Sequence, residues 1–352
     1  MVVEVYDMSS DKVIVAVDAM GGDNAPQEIV KGAVNAVNMN NRLGVVLVGP
    51  QELIQKELDQ LDYPKNRIRI RHASEVITTD DVPTIAIKKK KDSSIVVGQA
   101  MVRDGEADAF VSAGSTGAVL VGGIFITGRI RGIERPPLGV LIPTEKGVAL
   151  LVDCGANMDC RSSHLVQFAQ MGSIYMEKAL KIEKPRVAIL NVGLEDEKGN
   201  ALVKETKPLL AALDNINYIG SIEGREVTSG YADVIVADGF TGNCCLKMSE
   251  GVVKTMLHVI KGSLTSSLKT KIGALLIKGA LKDAIKRFDA TEYGGAPILG
   301  LNGLVVKCHG NATAKEISYA CQQCITFKEE GVNDAIREAL GRKKKAAQAE
   351  EN

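Results

Sequence analysis

Two stretches of this chain set a hydroxyl between glycines where a strand-like run gives way to a helix-like one. Residues 107–117 read ADAFVSAGSTG and residues 232–242 read ADVIVADGFTG, both fitting A-D-x-x-V-x-x-G-x-T-G. A turn of this kind exposes backbone N–H groups and a threonine hydroxyl beside the positive end of a helix, which is a cradle for an anion. The candidate donors are Gly114, Ser115, Thr116 and Gly117 in the first copy, and Thr241, Gly242 and Asn243, with Asp238 beside them, in the second. The plainer alternative for either copy is turn and N-cap chemistry with no ligand.

Further strand ends carry similar groups. KVIVAVDAMGGDNAP (residues 12–26) ends a strand at Asp18 and turns through Gly21, Gly22, Asp23 and Asn24, without the G-x-G-x-x-G spacing of a dinucleotide site. LLVDCGAN ends at Asp153, Gly155 and Asn157; VAILNVGLEDEKGN ends at Asn191 and Gly193 and runs through a charged loop towards Lys204. In open parallel sheets, ligands sit outside the carboxyl ends of the strands. No P-loop lysine motif or nucleophile elbow is present. The donor set therefore fits phosphate, and the substrate is expected to do the attacking.

These loops need a frame that brings strand ends together. Short β-branched runs alternate with helix-like segments from end to end, and several are continuously apolar, as in parallel strands covered on both faces. That alternation predicts an α/β fold, a three-layer α/β/α sandwich with a mostly parallel sheet. No linker divides it, so residues 12–338 read as one unit and residues 339–352 as a disordered, solvated tail. The 352 residues have zero formal net charge, no tryptophan and 4% aromatics, which argues against nucleic-acid binding. The seven cysteines make no disulfide framework. Cys321 and Cys324 form a C-x-x-C, but helical spacing puts both on one buried face, and no second pair completes a metal site. No cofactor or metal is expected. The first residues lack a signal-peptide core, and no run reaches the ~18 apolar residues of a spanning helix. A cytoplasmic location is the expectation.

Residues 251–289 break the alternation. They read as two amphipathic helices with a turn near residues 262–267, protruding as a basic hairpin. Lys269, Lys271, Lys278 and Lys282 flank an apolar patch at Leu275, Leu276 and Ile277. Such a hairpin suits an anionic membrane surface, where each cation contributes about 1 kcal/mol, or a small acidic protein. A core or dimer-packing hairpin with a solvated face is the alternative.

Taken together, DAMGGDNAP, SAGSTGA, GRIRGIERP, LLVDCGANMDCRSSHLVQFAQMGS, NVGLEDEKGNALVKET, ADVIVADGFTGN and YGGAPILGLNG with VVKCHGN resemble the phosphate acyltransferase (PlsX) family of bacterial phospholipid synthesis. The motifs follow in family order over most of the chain. One departure is Asn24, where the family pattern has histidine; asparagine still donates a hydrogen bond. The resemblance implies a fold similar to isopropylmalate dehydrogenases and phosphotransacetylases. It implies acyl transfer from acyl-[acyl carrier protein] to inorganic phosphate, a homodimer, peripheral membrane contact, and delivery of acyl phosphate to a membrane glycerol-3-phosphate acyltransferase. On that reading Ser115, Thr116 and Gly117 seat phosphate, while Thr241, Gly242 and Asn243 hold the other side of the reacting centre. Asn157, Asn191 and Lys204 polarise the carbonyl and neutralise charge, and Lys247 adds positive charge. His164 and His309 are candidate proton donors to the leaving thiolate, or structural histidines. Asp18 and Asp238 orient donors or satisfy strand-end amides. Transfer from coenzyme A and a non-catalytic membrane scaffold are the competing functions.

Overall fold

The computed structural model describes residues 12–286 and 290–340. Its strands are β1 (Val13–Asp18), β2 (Leu43–Gly49), β3 (Ile68–His72), β4 (Ala109–Ser112), β5 (Gly139–Thr144), β6 (Gly147–Val152), β7 (Arg186–Asn191), β8 (Asn217–Glu223), β9 (Val234–Val236), β10 (Ala296–Ile298) and β11 (Leu304–Lys307). The helices are α1 (Gln27–Met39), α2 (Gln51–Leu58), α3 (Pro83–Lys89), α4 (Ser94–Arg103), α5 (Thr116–Gly122), α6 (Ser162–Leu180), α7 (Ala201–Ala211), α8 (Gly239–Leu264), α9 (Leu268–Lys286) and α10 (Ala314–Glu329).

The expected layered α/β architecture is present, with its strands divided between two sheets. One runs β10-β11-β4-β1-β2-β3 and the other β5-β6-β9-β7-β8. Each is parallel except for one antiparallel edge strand, β10 in the first and β5 in the second. These two strands, absent from the sequence-based expectation, face each other: Leu299 N–H donates to Pro137 O at 3.0 Å, and Leu138 bridges Ile298. The sheets are therefore joined along the edges where periodicity is weakest.

Alternation along the strands sets which helices cover which face. In β1, Val15 and Val17 enter a core with Ile29 and Val30 of α1 and Ile317 and Cys321 of α10, while Ala16 faces Ile95 of α4 and Val119 of α5. The first of these cores continues without a break into the second sheet through α6, whose Tyr175 packs on Phe327 and accepts a 2.8 Å bond from Gln323 Nε2. Cys321 and Cys324 are fully buried there, as their helical spacing predicts.

The two A-D-x-x-V segments are structurally equivalent. Asp108 accepts from the Ile14 N–H at 2.9 Å, and Asp233 accepts from the Arg186 N–H at 2.7 Å. Each aspartate ties the start of its strand to the neighbouring one.

Two expected boundaries move. The hairpin is no separate insert: α8 runs unbroken from Gly239 to Leu264, with Gly262 inside it. The turn lies at residues 265–267, where Ser267 and Thr270 exchange backbone and hydroxyl bonds in a reciprocal cap. Arg287 and Asp289 lie outside the described residues. A final helix spans residues 332–340 with Leu340 buried, so the expected tail cannot begin at residue 339; its residues 341–352 lie outside the described residues.

Candidate active site

Loops from the carboxyl ends of both sheets meet at a crevice of about 370 Å³, where the joined edges β5 and β10 form one wall. Thr116, Asn243, Lys247, Lys307, His309 and Gly310 are among its lining residues.

The opening loop of the chain is fastened to this centre. Gly21 lies so close to its neighbours that a Cβ would stand 2.4 Å from Asp18 Oδ2 and 2.6 Å from Gly114 N. Gly22 has φ +95° and abuts Gly310 O, and Asp23 N–H donates to that same carbonyl at 2.7 Å. Asn24 Nδ2 donates to Asn311 O and Ala312 O at 3.1 and 3.2 Å, so it clamps two loops together. Asp18 is buried and accepts from Ser112 Oγ at 2.7 Å; burial pushes its carboxyl up. Ser112 Oγ in turn accepts from the Gly114 N–H.

The two cradles differ. In the first, Ser115 makes no side-chain cap, and among the described residues no protein acceptor takes the N–H groups of Ser115, Thr116 or Gly117. In the second, Asp238 stands where the first copy has Ala113. It accepts the Thr241 N–H at 2.9 Å and the Thr241 hydroxyl at 2.7 Å. A carboxylate already fills that cradle and repels an anion, which corrects the expectation of a second anion cradle at Thr241 and Gly242. Gly242 serves packing instead: a Cβ there would stand 2.0 Å from Asp153 O. Asn243 keeps its place in the crevice beside Gly155.

Three expected catalytic residues sit elsewhere. His164 is buried in the first turn of α6, where its Nδ1 accepts the Arg161 N–H and its Nε2 faces Glu134; burial pushes its pKa down. Asn191 donates to Gly193 O and Lys198 O and shapes its own loop. Lys204 lines a separate surface hollow with Lys207 and Tyr218. β7 and β8 lie at the side of the second sheet remote from β5, and that holds the last two away from the crevice. Asn157 is near but occupied, donating to Asp153 Oδ2 at 2.8 Å and Pro136 O at 3.0 Å.

His309 is where the chemistry concentrates. Its Nε2 lies 3.5 Å from Glu250 of α8 and its Nδ1 lies 3.1 Å from the buried Glu316 of α10. The Glu250 carboxylate and then that of Glu316 raise the imidazole to about 9, and His309 in return holds Glu250 down at about 2. Lys247 pairs with the other Glu250 oxygen at 2.8 Å. The sequence reading missed Glu250, Glu316 and Lys307. Lys307 ends the apolar strand β11 and is buried, its Nζ donating to Ala113 O and Cys308 O; burial pushes its pKa down. A lone lysine closing the run LVVK was the available signal. Nothing local marked the glutamates, which come from separate helices.

Cys154 and Cys308 also line the crevice, but burial raises both thiols well above the ordinary range and leaves little thiolate to attack a carbonyl.

Residues 13–335 match the family model described as "Fatty acid synthesis protein". The phosphate acyltransferase of Alkaliphilus oremlandii is 48% identical over 326 residues, covering 93% of this chain and 97% of that protein. This chain belongs to the phosphate acyltransferase family. A second phosphate acyltransferase, from Clostridioides difficile, is 47% identical over 329 residues, 93% of this chain and 96% of its own. Among solved structures, a phosphotransacetylase from Streptococcus pyogenes superposes with a TM-score of 0.62 at 17% identity, over 92% of this chain and 97% of that one. A branched-chain phosphotransacylase from Enterococcus faecalis gives 0.53 at 15% identity over 89% and 98%. The phosphate acyltransferase chain thus shares the fold of those enzymes.

Proposed function

We propose that this phosphate acyltransferase moves a fatty acyl group from acyl-[acyl carrier protein] to inorganic phosphate, with residues 12–340 working as one unit. The carrying observation is a crevice with an open anion cradle on one side and a histidine held protonated by two glutamates on the other.

Phosphate sits on the free N–H groups of Ser115, Thr116 and Gly117 and on the Ser115 and Thr116 hydroxyls, with Lys247 and Lys307 supplying positive charge. A phosphate oxygen attacks the thioester carbonyl carbon. The new C–O bond forms, the C–S bond breaks, and the electron pair leaves on sulfur. His309 gives its proton to that thiolate; the proton lost by hydrogen phosphate goes to solvent, and solvent returns one to His309. A donor at about 9 is well matched to a thiol of about 8.5. Free carrier thiol and acyl phosphate are the products.

The helices α8 and α9 support a surface role. Among the described residues no helix is long and apolar enough to cross a membrane. Yet α9 buries none of its residues, and Leu275 and Leu276 are 71% and 82% exposed beside Lys271, Lys278 and Lys282. We assign this face to an anionic membrane, with the protein cytoplasmic, homodimeric, and passing acyl phosphate to a glycerol-3-phosphate acyltransferase there.

The test is incubation of purified protein with palmitoyl-[acyl carrier protein] and labelled phosphate. Labelled acyl phosphate is expected, with Thr116→Ala raising the KM for phosphate about tenfold or more. Absence of any phosphate-dependent product from either carrier-protein or coenzyme A thioesters overturns the assignment.

A further inference from the structure

The crevice is polar on one wall only. Its other wall is built by Leu138, Val140 and Leu141 at β5, by Ala296 at β10 and by Leu246 of α8. Leu138 belongs to the core beneath the first sheet, Leu141 to the core shared by both sheets, and Leu246 to the core beneath the second. Val140, half-buried, packs on that last core and faces the opening. Three apolar clusters therefore come together beside the candidate phosphate seat, at the seam where the two antiparallel edge strands meet.

A thioester held between Thr116 and His309 has two arms. The carrier arm is polar and tethered to a protein, so it must leave through the open mouth. The acyl arm is hydrocarbon and gains by leaving water. The geometry points to the β5–β10 seam as the acyl-chain pocket, with Val140 and Leu246 setting the chain length accepted. The inference rests on the acyl-transfer reading above and adds to it the binding place of the chain.

The test is kcat/KM for octanoyl-, lauroyl- and palmitoyl-[acyl carrier protein] with wild type, Val140→Ile and Val140→Phe. Ile adds a single methylene and keeps β-propensity, so the series does not depend on Phe folding. The palmitoyl-to-octanoyl ratio should fall stepwise, by about tenfold or more for Phe, in the range set by small changes in hydrophobic pockets. A ratio unchanged in both variants, or an equal loss for all three chains, overturns the acyl pocket while leaving the transferase reading in place. A wild type that makes no acyl phosphate from any chain overturns both.

Discussion

Replacing Glu250 with glutamine separates the proposed proton donor from the main group that keeps it charged. The Glu250 carboxylate is the largest cause raising His309 to about 9, and Glu316 is the next. Without either, histidine titrates at about 6.5, and its protonated fraction at about pH 8 falls from roughly nine-tenths to roughly three-hundredths, about 30-fold. Glu316 remains in Glu250→Gln, so the loss of kcat/KM near pH 8 should lie at about 3- to 30-fold, while near pH 6 it should stay below about twofold. The assay is acyl phosphate formation between about pH 6 and 9.5, read as movement of the alkaline limb. The chain has four histidines, so an NMR titration can follow His309 directly. An alkaline limb that stays in place while the NMR titration moves refutes His309 as the donor. A uniform loss at every pH refutes it too, since that is the mark of a structural role. Stability follows the same pair. A raised histidine contributes fully below about pH 6.5 and loses that contribution as pH rises through about 9; a depressed carboxylate contributes above its ordinary value and loses it as pH falls towards about 2. Glu250→Gln should flatten both slopes in pH-dependent melts.

Gly242→Ala forces a Cβ to within 2.0 Å of the Asp153 carbonyl, where both partners are backbone and neither side can give way cheaply. A loss at or above about 3 kcal/mol and a melting point several degrees lower are expected by calorimetry; an unchanged melting point contradicts the α8–β6 packing. Leu275→Glu with Leu276→Glu should abolish co-sedimentation with phosphatidylglycerol vesicles and leave the melting point and the turnover of soluble acyl-carrier protein unaltered, because α9 buries nothing. Vesicle binding that survives the double substitution refutes the membrane face.

Strand and helix identity was legible wherever the chain is strongly periodic. The apolar runs of β1, β2, β6 and β7 could hardly be other than covered parallel strands, and the i,i+3 cysteines of α10 had to share a buried face. β5 and β10 escaped notice because edge strands pair on one side and carry glycine and proline. The turn before α5 was legible because a turn and a helix start are local matters.

The second cradle shows where that legibility ends. The same A-D-x-x-V-x-x-G-x-T-G string makes the same strand anchor at Asp108 and Asp233, yet the one-residue difference between Ala113 and Asp238 leaves one cradle open and the other filled. The residue types that form turns and hold anions were fixed by local spacing. Which of them share a crevice depended on how two sheets join edge to edge, and that follows from long-range packing of faces. Hence Lys204, Asn191 and His164, plausible by type, stand apart from the crevice. Glu250 and Glu316, silent in sequence, meet at His309, and Lys307 lines the crevice beside it, because α8, α10 and β11 converge there. Local chemistry chose the tools, and tertiary packing decided which of them can reach one another.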